Sequence, residues 1–463
     1  MFDVVLQGGL VLLADGTLGH VDLGISGGRI AAIAAPDQLF SAPSLIDATG
    51  RVVLPGVIDV HVHLGHGNDI SRPRTAEDAR NETAAAVAGG VTSFVPYLMS
   101  GQPFEDGTFD DVVSVTESGS LIDFGYHLII STPEQLAAVP RYIADYGVPS
   151  FKIFMNNRGG EGARLGLPDI DDGFFFRLAE LCAVHGGMVC PHPENIEVAW
   201  VLRDRLKAQD PEGLGGLATW NAARPDFIEA EAIQRAAMLC AAAGAPLYIV
   251  HTSSSAALKA AAAAKASGMD ITIETCPHYL THDVTWSRGD VGKINPPLRD
   301  PSDRDALWNG IADGTIDTVA TDHVHRTLEG KRGGIWAASP GCPGLETLLP
   351  VMLTEGYHKR GIGIDRLSAL LSTNPARRMG LNNKGSIAVG MDADLAIVDL
   401  NRTWTISDAA VRSNAGYSIY DGAKLTGAVE RTLVRGRTVF ANGTAMADAT
   451  GTGRYVRRSL RNG

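Results

Sequence analysis

VIDVHV, running from Val57, is the first of eight short apolar runs that recur through the middle of the chain. The others are VTSFVPY from Val91, IDFGYHLII from Ile122, SFKIFM from Ser150, GMVCPH from Gly187, PLYIVH from Pro246, DITIET from Asp270 and DTVAT from Asp317. Each is short, rich in β-branched and aromatic residues, and separated from the next by a loop and a helix-like segment, the pattern of parallel βα units. Four intervening helices are expected, over Thr75 to Ala88 with a Thr75/Asp78 capping pattern, Gly173 to His185, Phe227 to Ala243, and the alanine-rich Ser255 to Ser267. Eight strands alternating with helices over about 300 residues favour a closed (β/α)8 barrel over an open doubly wound sheet.

Outward from this block the texture changes. Short strands joined by glycine turns are expected over Asp3 to Leu13, Val21 to Ser26, Arg29 to Ala34 and Arg51 to Leu54, and strand patterns return after Gly385. The ends of a barrel lie near each other, so residues 1–54 and 385–463 are read as one small discontinuous β-sandwich domain, with the α/β barrel spanning 55–384.

The 463 residues, 45% apolar and 20% charged, are a globular composition that excludes general disorder. A net charge of −12 argues against nucleic acid or an anionic membrane as partner. Five scattered cysteines (Cys182, Cys190, Cys240, Cys276, Cys342) form no C-x-x-C pair and are read as reduced, mostly buried thiols. MFDVVLQGGLVLL lacks the pattern of a signal peptide, and the near-apolar stretch from Met238 to Val250 is too short for a membrane span, so a cytoplasmic protein is expected.

Ligand-type residues gather at the ends of the expected barrel strands. His61 and His63 lie two apart at the end of the first strand, so both imidazoles face the same side. His192 ends the fifth, His251 the sixth and Asp322 the eighth, all on the C-terminal face where barrel enzymes keep their active sites. Lys152 lies within the fourth strand, where an unpaired ammonium is costly and repels cations. It makes sense there as a carbamate, formed from its amine and carbon dioxide, whose two oxygens bridge two metal ions. Two such ions lower the pKa of a bridging water and polarise an amide carbonyl. Asp322 is then placed to take up a proton and deliver it to the departing nitrogen. Thr252 to Ser255, without a G-x-S-x-G elbow, reads as a loop and helix cap. His66, His278 and His323 divide between pocket and structural roles, and His325 and Arg326 follow Asp322 closely enough to reach a substrate. His20, His127, His185, His282 and His358 read as surface or loop residues.

The set His61-x-His63, Lys152, His192, His251 and Asp322 resembles that of the binuclear amidohydrolase superfamily, specifically its cyclic-amide branch of hydantoinases, dihydropyrimidinases, allantoinases and dihydroorotases. The likeness extends over LPGVIDVHVHL, ETAAAVAGGVTS, FKIFM, HPEN, ETCPHYLT, NPPLR, TDH, NPARRMGL and GSIAVGMDADLAIVD. It implies a carboxylated Lys152 shared by two divalent ions, zinc above all, with His61, His63 and Asp322 on one ion and His192 and His251 on the other. It also implies a small-molecule cyclic amide substrate and a homo-oligomer, tetramer or dimer.

Departures from each subfamily bear on the ring. Leu64-Gly65 stands where dihydroorotases follow the histidine pair with Leu-Arg, and Arg72, Arg74 or Arg326 are the possible substitutes for that arginine. Asn157 stands where hydantoinases carry an oxyanion tyrosine. By resemblance, Asn157 orients the substrate through its amide and the main chain at Asn295 binds the imide edge of the ring. The expectation is a neutral cyclic ureide or imide of hydantoin, dihydropyrimidine or allantoin type. Dihydroorotate, an acyclic amide or carbamate, and a non-catalytic scaffold of the same fold are the alternatives.

Overall fold

The computed structural model describes residues 1–39 and 42–460. All eight apolar runs contribute to one parallel sheet: Val57–His63, Val91–Leu98, the split pair Asp123–Phe124 and His127–Ile129, Ser150–Phe154, Met188–His192, Leu247–Ile249, Ile271–Thr275, and the split pair Thr318–Val319 and His323–Val324. The last run closes the barrel with its two halves. Thr318 pairs with Glu274 of the seventh strand, and His323 pairs with Val62 of the first.

The strand interior is filled by alternate residues, among them Val95, Tyr97, Met188, Cys190, Tyr248 and Val250, while Phe151, Ile153, Val189, Leu247 and Ile249 face the helices. A register shift between Asp59 and Val62 re-phases the first strand, so that Ile58 and Val60 join the interior cluster while His61 and His63 line the cavity above it. The four expected helices are present as Ala76–Ala88, Asp172–His185, Asp226–Ala243 and Ser255–Ala266. Asp78 accepts from the Thr75 N–H at 2.8 Å, and Ser254 caps the alanine-rich helix through the Ala257 N–H at 3.1 Å.

The two ends of the chain build two further sheets. In the seven-stranded one, Leu18–His20, Leu10–Leu12 and Val52–Pro55 lie beside Leu395–Thr405, Lys424–Val434, Arg437–Ala441 and Thr444–Ala445. The four-stranded one holds Arg29–Ala34, Asp22–Ser26, Val4–Gln7 and Ser44–Asp47. Leu6, Ile25, Val53, Leu395 and Leu433 share one apolar cluster between them. Over Asp3 to Leu13 the chain forms two strands that lie in different sheets, and Gly8, at a φ of 73°, turns the chain between them. The chain therefore folds as a (β/α)8 barrel with a sheet domain drawn from both ends. Among the described residues no helix is long and apolar enough to cross a membrane. All five cysteines are free and buried.

Candidate active site

The strand ends converge as their spacing implies. His61, His63, Lys152, His192, His251 and Asp322 line one cavity of about 390 Å³, and Asn157 and Asn295 lie on its wall. Asp322 Oδ1 is 3.1 Å from His61 Nε2 and 3.4 Å from His63 Nε2. These three residues bring ligand atoms within 4.8 Å of one another. His192 and His251 form a second pair, with Nδ1 of the first 2.9 Å from Nε2 of the second.

Burial pulls His61 down, but the Asp322 and Glu274 carboxylates outweigh it and raise its pKa. Burial takes His63 down to about 4. For Asp322, burial is overcome by His61 and His63, which hold its carboxyl well below the usual range.

The donor chemistry suits metal ions. His192 Nε2 and His251 Nδ1 are buried without a hydrogen-bond partner, and His61 Nε2 faces only the Asp322 carboxylate, an expensive state for ring nitrogens unless a ligand takes them up. His61 presents Nε2 because its other nitrogen is occupied. Nδ1 lies 2.7 Å from Glu274 Oε1, and donation to that carboxylate fixes the tautomer.

Two of the six carry backbone strain. His251 has a φ of 40° and Asp322 a φ of 49°, in the left-handed region that non-glycine residues avoid. Both positions are over-determined by buried carboxylates. The His251 N–H donates to Glu274 Oε1 at 2.8 Å, and Tyr248 Oη donates to Glu274 Oε2 at 2.8 Å. Beside Asp322, the Thr321 hydroxyl donates to Asp59 Oδ2 at 2.5 Å and its N–H to Asp59 Oδ1 at 3.2 Å.

Lys152 is 1% exposed, with Nζ 4.7 Å from the centroid of the Tyr97 ring. Burial pushes its amine down to about 8, and no ion pair engages it among the described residues. A lowered amine pKa increases the share of the neutral, nucleophilic form.

The chain matches the amidohydrolase family over residues 52–439. It belongs to that family. Among similar amidohydrolases is an allantoinase of Deinococcus radiodurans, 36% identical over 99% of this chain and 99% of that one. A D-hydantoinase of Ralstonia pickettii is 32% identical over 98% and 99% of the two chains. The crystal structure of a dihydropyrimidinase from Brevibacillus agri matches with a TM-score of 0.89 and 30% identity over 98% of each chain. The cyclic-amide branch of the amidohydrolases is therefore the setting of this cavity.

One reading from the sequence is revised, and several that were left open are decided. His127, read as a surface or loop residue, is fully buried in the third strand, its Nε2 3.0 Å from the Val60 carbonyl oxygen and its ring stacked on Tyr97 at 4.4 Å. His323 points away from the cavity, with Nε2 3.0 Å from Glu82, and His66 is tied to Asp78. Gly65 has no room for a side chain, since a Cβ there would lie 1.9 Å from the Asp69 carbonyl oxygen. Arg74 is engaged by Asp69 at 2.7 Å, whereas Arg326 lines the cavity. Glu274 and Asp59 were visible only as members of motifs; nothing in their spacing distinguishes a supporting carboxylate from any other buried one.

Proposed function

We propose that this amidohydrolase opens a cyclic ureide or imide ring by hydrolysis, of hydantoin, dihydropyrimidine or allantoin type. The observation that carries the reading is the convergence of His61, His63, Lys152, His192, His251 and Asp322 on one cavity at the C-terminal mouth of the barrel. His61, His63 and Asp322 would hold one divalent ion, His192 and His251 a second, with Lys152 shared as its carbamate; zinc suits imidazole and carboxylate ligands. When bound, such ions supply hydroxide near neutral pH and polarise an amide carbonyl.

The chain's own groups do the rest. The neutral Lys152 amine forms a bond to the carbon of carbon dioxide and loses one proton, leaving an anion where an ammonium would repel cations. In ring opening, water adds across the amide, its oxygen to the carbonyl carbon. The C–N bond breaks, and Asp322 passes the proton taken from water to the departing nitrogen. Asn157 is proposed to orient the ring through its side-chain amide. Asn295 presents its main chain to the imide edge, and its Oδ1 is buried without a partner. The homo-oligomeric state, dimer or tetramer, belongs to the same reading and is checked by light scattering.

Ring-opening assays on hydantoin, dihydrouracil and allantoin, run on protein whose metal content has been measured, test the activity. Turnover of at least one, with close to two ions per chain, is the expected result. Fully loaded protein that opens none of them, and no carboxylated analogue of them, overturns the proposal.

A further inference from the structure

Away from the strand-end histidines the cavity wall is basic, although the whole chain carries a net charge of −12. Arg164, Arg203, Arg224, Lys293 and Arg326 all line it. Two of these are already neutralised. Arg224 pairs with the buried Glu194, and Arg203 lies 3.3 Å from Glu161, whose other oxygen accepts from Trp200 Nε1 at 3.1 Å.

The remaining three have no carboxylate partner within 4.0 Å among the described residues. Lys293 is 3% exposed, yet its Nζ meets only the Trp336 carbonyl oxygen at 3.2 Å and the Trp220 ring at 4.2 Å. A second ammonium stands behind it, Lys331, which donates to the Lys293 carbonyl oxygen at 2.9 Å. Arg326 is half-buried and its Nε has no partner. Arg164 engages no acceptor among the described residues; burial and then the charge of Arg164 lower the pKa of Arg326 while Asp69 raises it, and burial, then Arg224, then Arg164 lower that of Lys293. Lys293 is buried, Arg326 half-buried and Arg164 exposed on the same wall, and the buried ammonium without a carboxylate is costly unless an anion joins it. Lysine and arginine together suit a carboxylate, the guanidinium as a fork and the ammonium as a point charge.

We infer that the ring substrate carries a carboxylate and that Lys293, Arg326 and Arg164 receive it, an inference that rests on the ring-opening reading. This replaces the expectation of a neutral ring, which followed from the missing arginine after Leu64. Position 65 admits no side chain, and the positive charge comes instead from three segments far apart in sequence: the loop after the fourth strand, the segment before Asn295, and the loop after the eighth strand.

A matched pair of substrates tests it: 5-(2-carboxyethyl)hydantoin against 5-propylhydantoin, with dihydroorotate as a third arm in which the carboxylate sits on the ring itself. The expected result is a kcat/KM about tenfold or more higher for a carboxylated ring than for the propyl compound, a ratio that collapses towards one in Lys293→Met and in Arg326→Met. The two carboxylated arms decide between side-chain and ring placement of the charge. Calorimetric binding of the same compounds separates the two readings. Protein that binds the carboxylated ring more tightly but opens no ring keeps the anion wall and loses the hydrolase. An equal or better 5-propylhydantoin, in binding and turnover alike, or a preference that survives both substitutions, overturns the inference.

Discussion

His61 and Glu274 face each other across the barrel interior, Nδ1 to Oε1 at 2.7 Å, with both side chains fully buried. The carboxylate thereby selects which imidazole nitrogen is free, and its second oxygen is held by Tyr248. Replacing Glu274 with Gln keeps the shape and removes the charge that orders the ring. Residues in this supporting position are typically worth ~10–100-fold in metal affinity. Chelator competition on the Glu274→Gln protein should show a loss of that size, and an unchanged competition curve would remove Glu274 from the site.

Lys152→Ala is expected to lose turnover and bound metal together. Short-chain carboxylates such as acetate or propionate should restore part of both, by standing in for the missing anion. In the wild-type protein, metal reconstitution should quicken with added bicarbonate, and 13C-labelled bicarbonate should give a carbamate carbon resonance. Reconstitution in carbon-dioxide-free buffer at full rate and yield would argue for an unmodified amine.

Asp322→Asn should fold, because the Asp59 and Thr321 contacts that hold its loop are untouched. Turnover should fall by ~10²-fold or more, the usual worth of a positioned acid–base group. A variant that kept above about a tenth of the wild-type kcat would be incompatible with Asp322 moving the proton.

The barrel is fastened to the end sheets by a buried ion cluster, and this gives a prediction about stability. Lys384 Nζ lies 2.7 Å from Asp123 and 2.6 Å from Asp394, all three nearly inaccessible, and Arg435 also reaches Asp123. Lys384→Met leaves Asp394 buried without a cation and Asp123 with Arg435 alone, and removing one partner of a buried pair costs about 3–5 kcal/mol. Burial opposes both charges, yet the attraction raises Lys384 above its ordinary 10.5 and lowers Asp123 below its ordinary 3.8. The lysine contribution is complete below pH 10.5 and fades as pH rises through the raised value. The Asp123 contribution is complete above pH 3.8 and fades as pH falls through the lowered one. Chemical denaturation of the two proteins should therefore differ by a constant amount across the neutral range, and a difference that vanished at pH 7 would contradict the assignment.

Much of the site was legible because strand geometry is periodic. Two imidazoles two residues apart must share a face, and a ligand type at the end of each apolar run must reach the same mouth. What escaped did so for definite reasons. The run from Ile122 gave no sign that its strand breaks at Gly125–Tyr126, nor that His127 turns inward to stack on Tyr97. Ser44–Asp47 is a strand only because Val4–Gln7 lies alongside it, a pairing that no local pattern announces. Arg326 was in view through its place after Asp322, but Lys293 sits in an irregular segment whose direction is set by tertiary packing, so its charge on the cavity wall could not be read from its order in the chain.

The sheet shared by the two ends has a consequence for the order of events during synthesis. Leu10–Leu12 pairs with Val52–Pro55, but the next neighbour of that strand is Leu395–Thr405, about 340 residues later. At 5–20 residues per second the ribosome takes roughly 17–70 s to supply it. Throughout that interval Val52–Pro55 presents an unpaired edge while the barrel is assembled beside it. The nascent chain thus carries a β-edge that its own sequence cannot cap until late. Chaperone occupancy of ribosome-bound chains should be greatest before Leu395 emerges and should fall once Thr405 has cleared the exit tunnel.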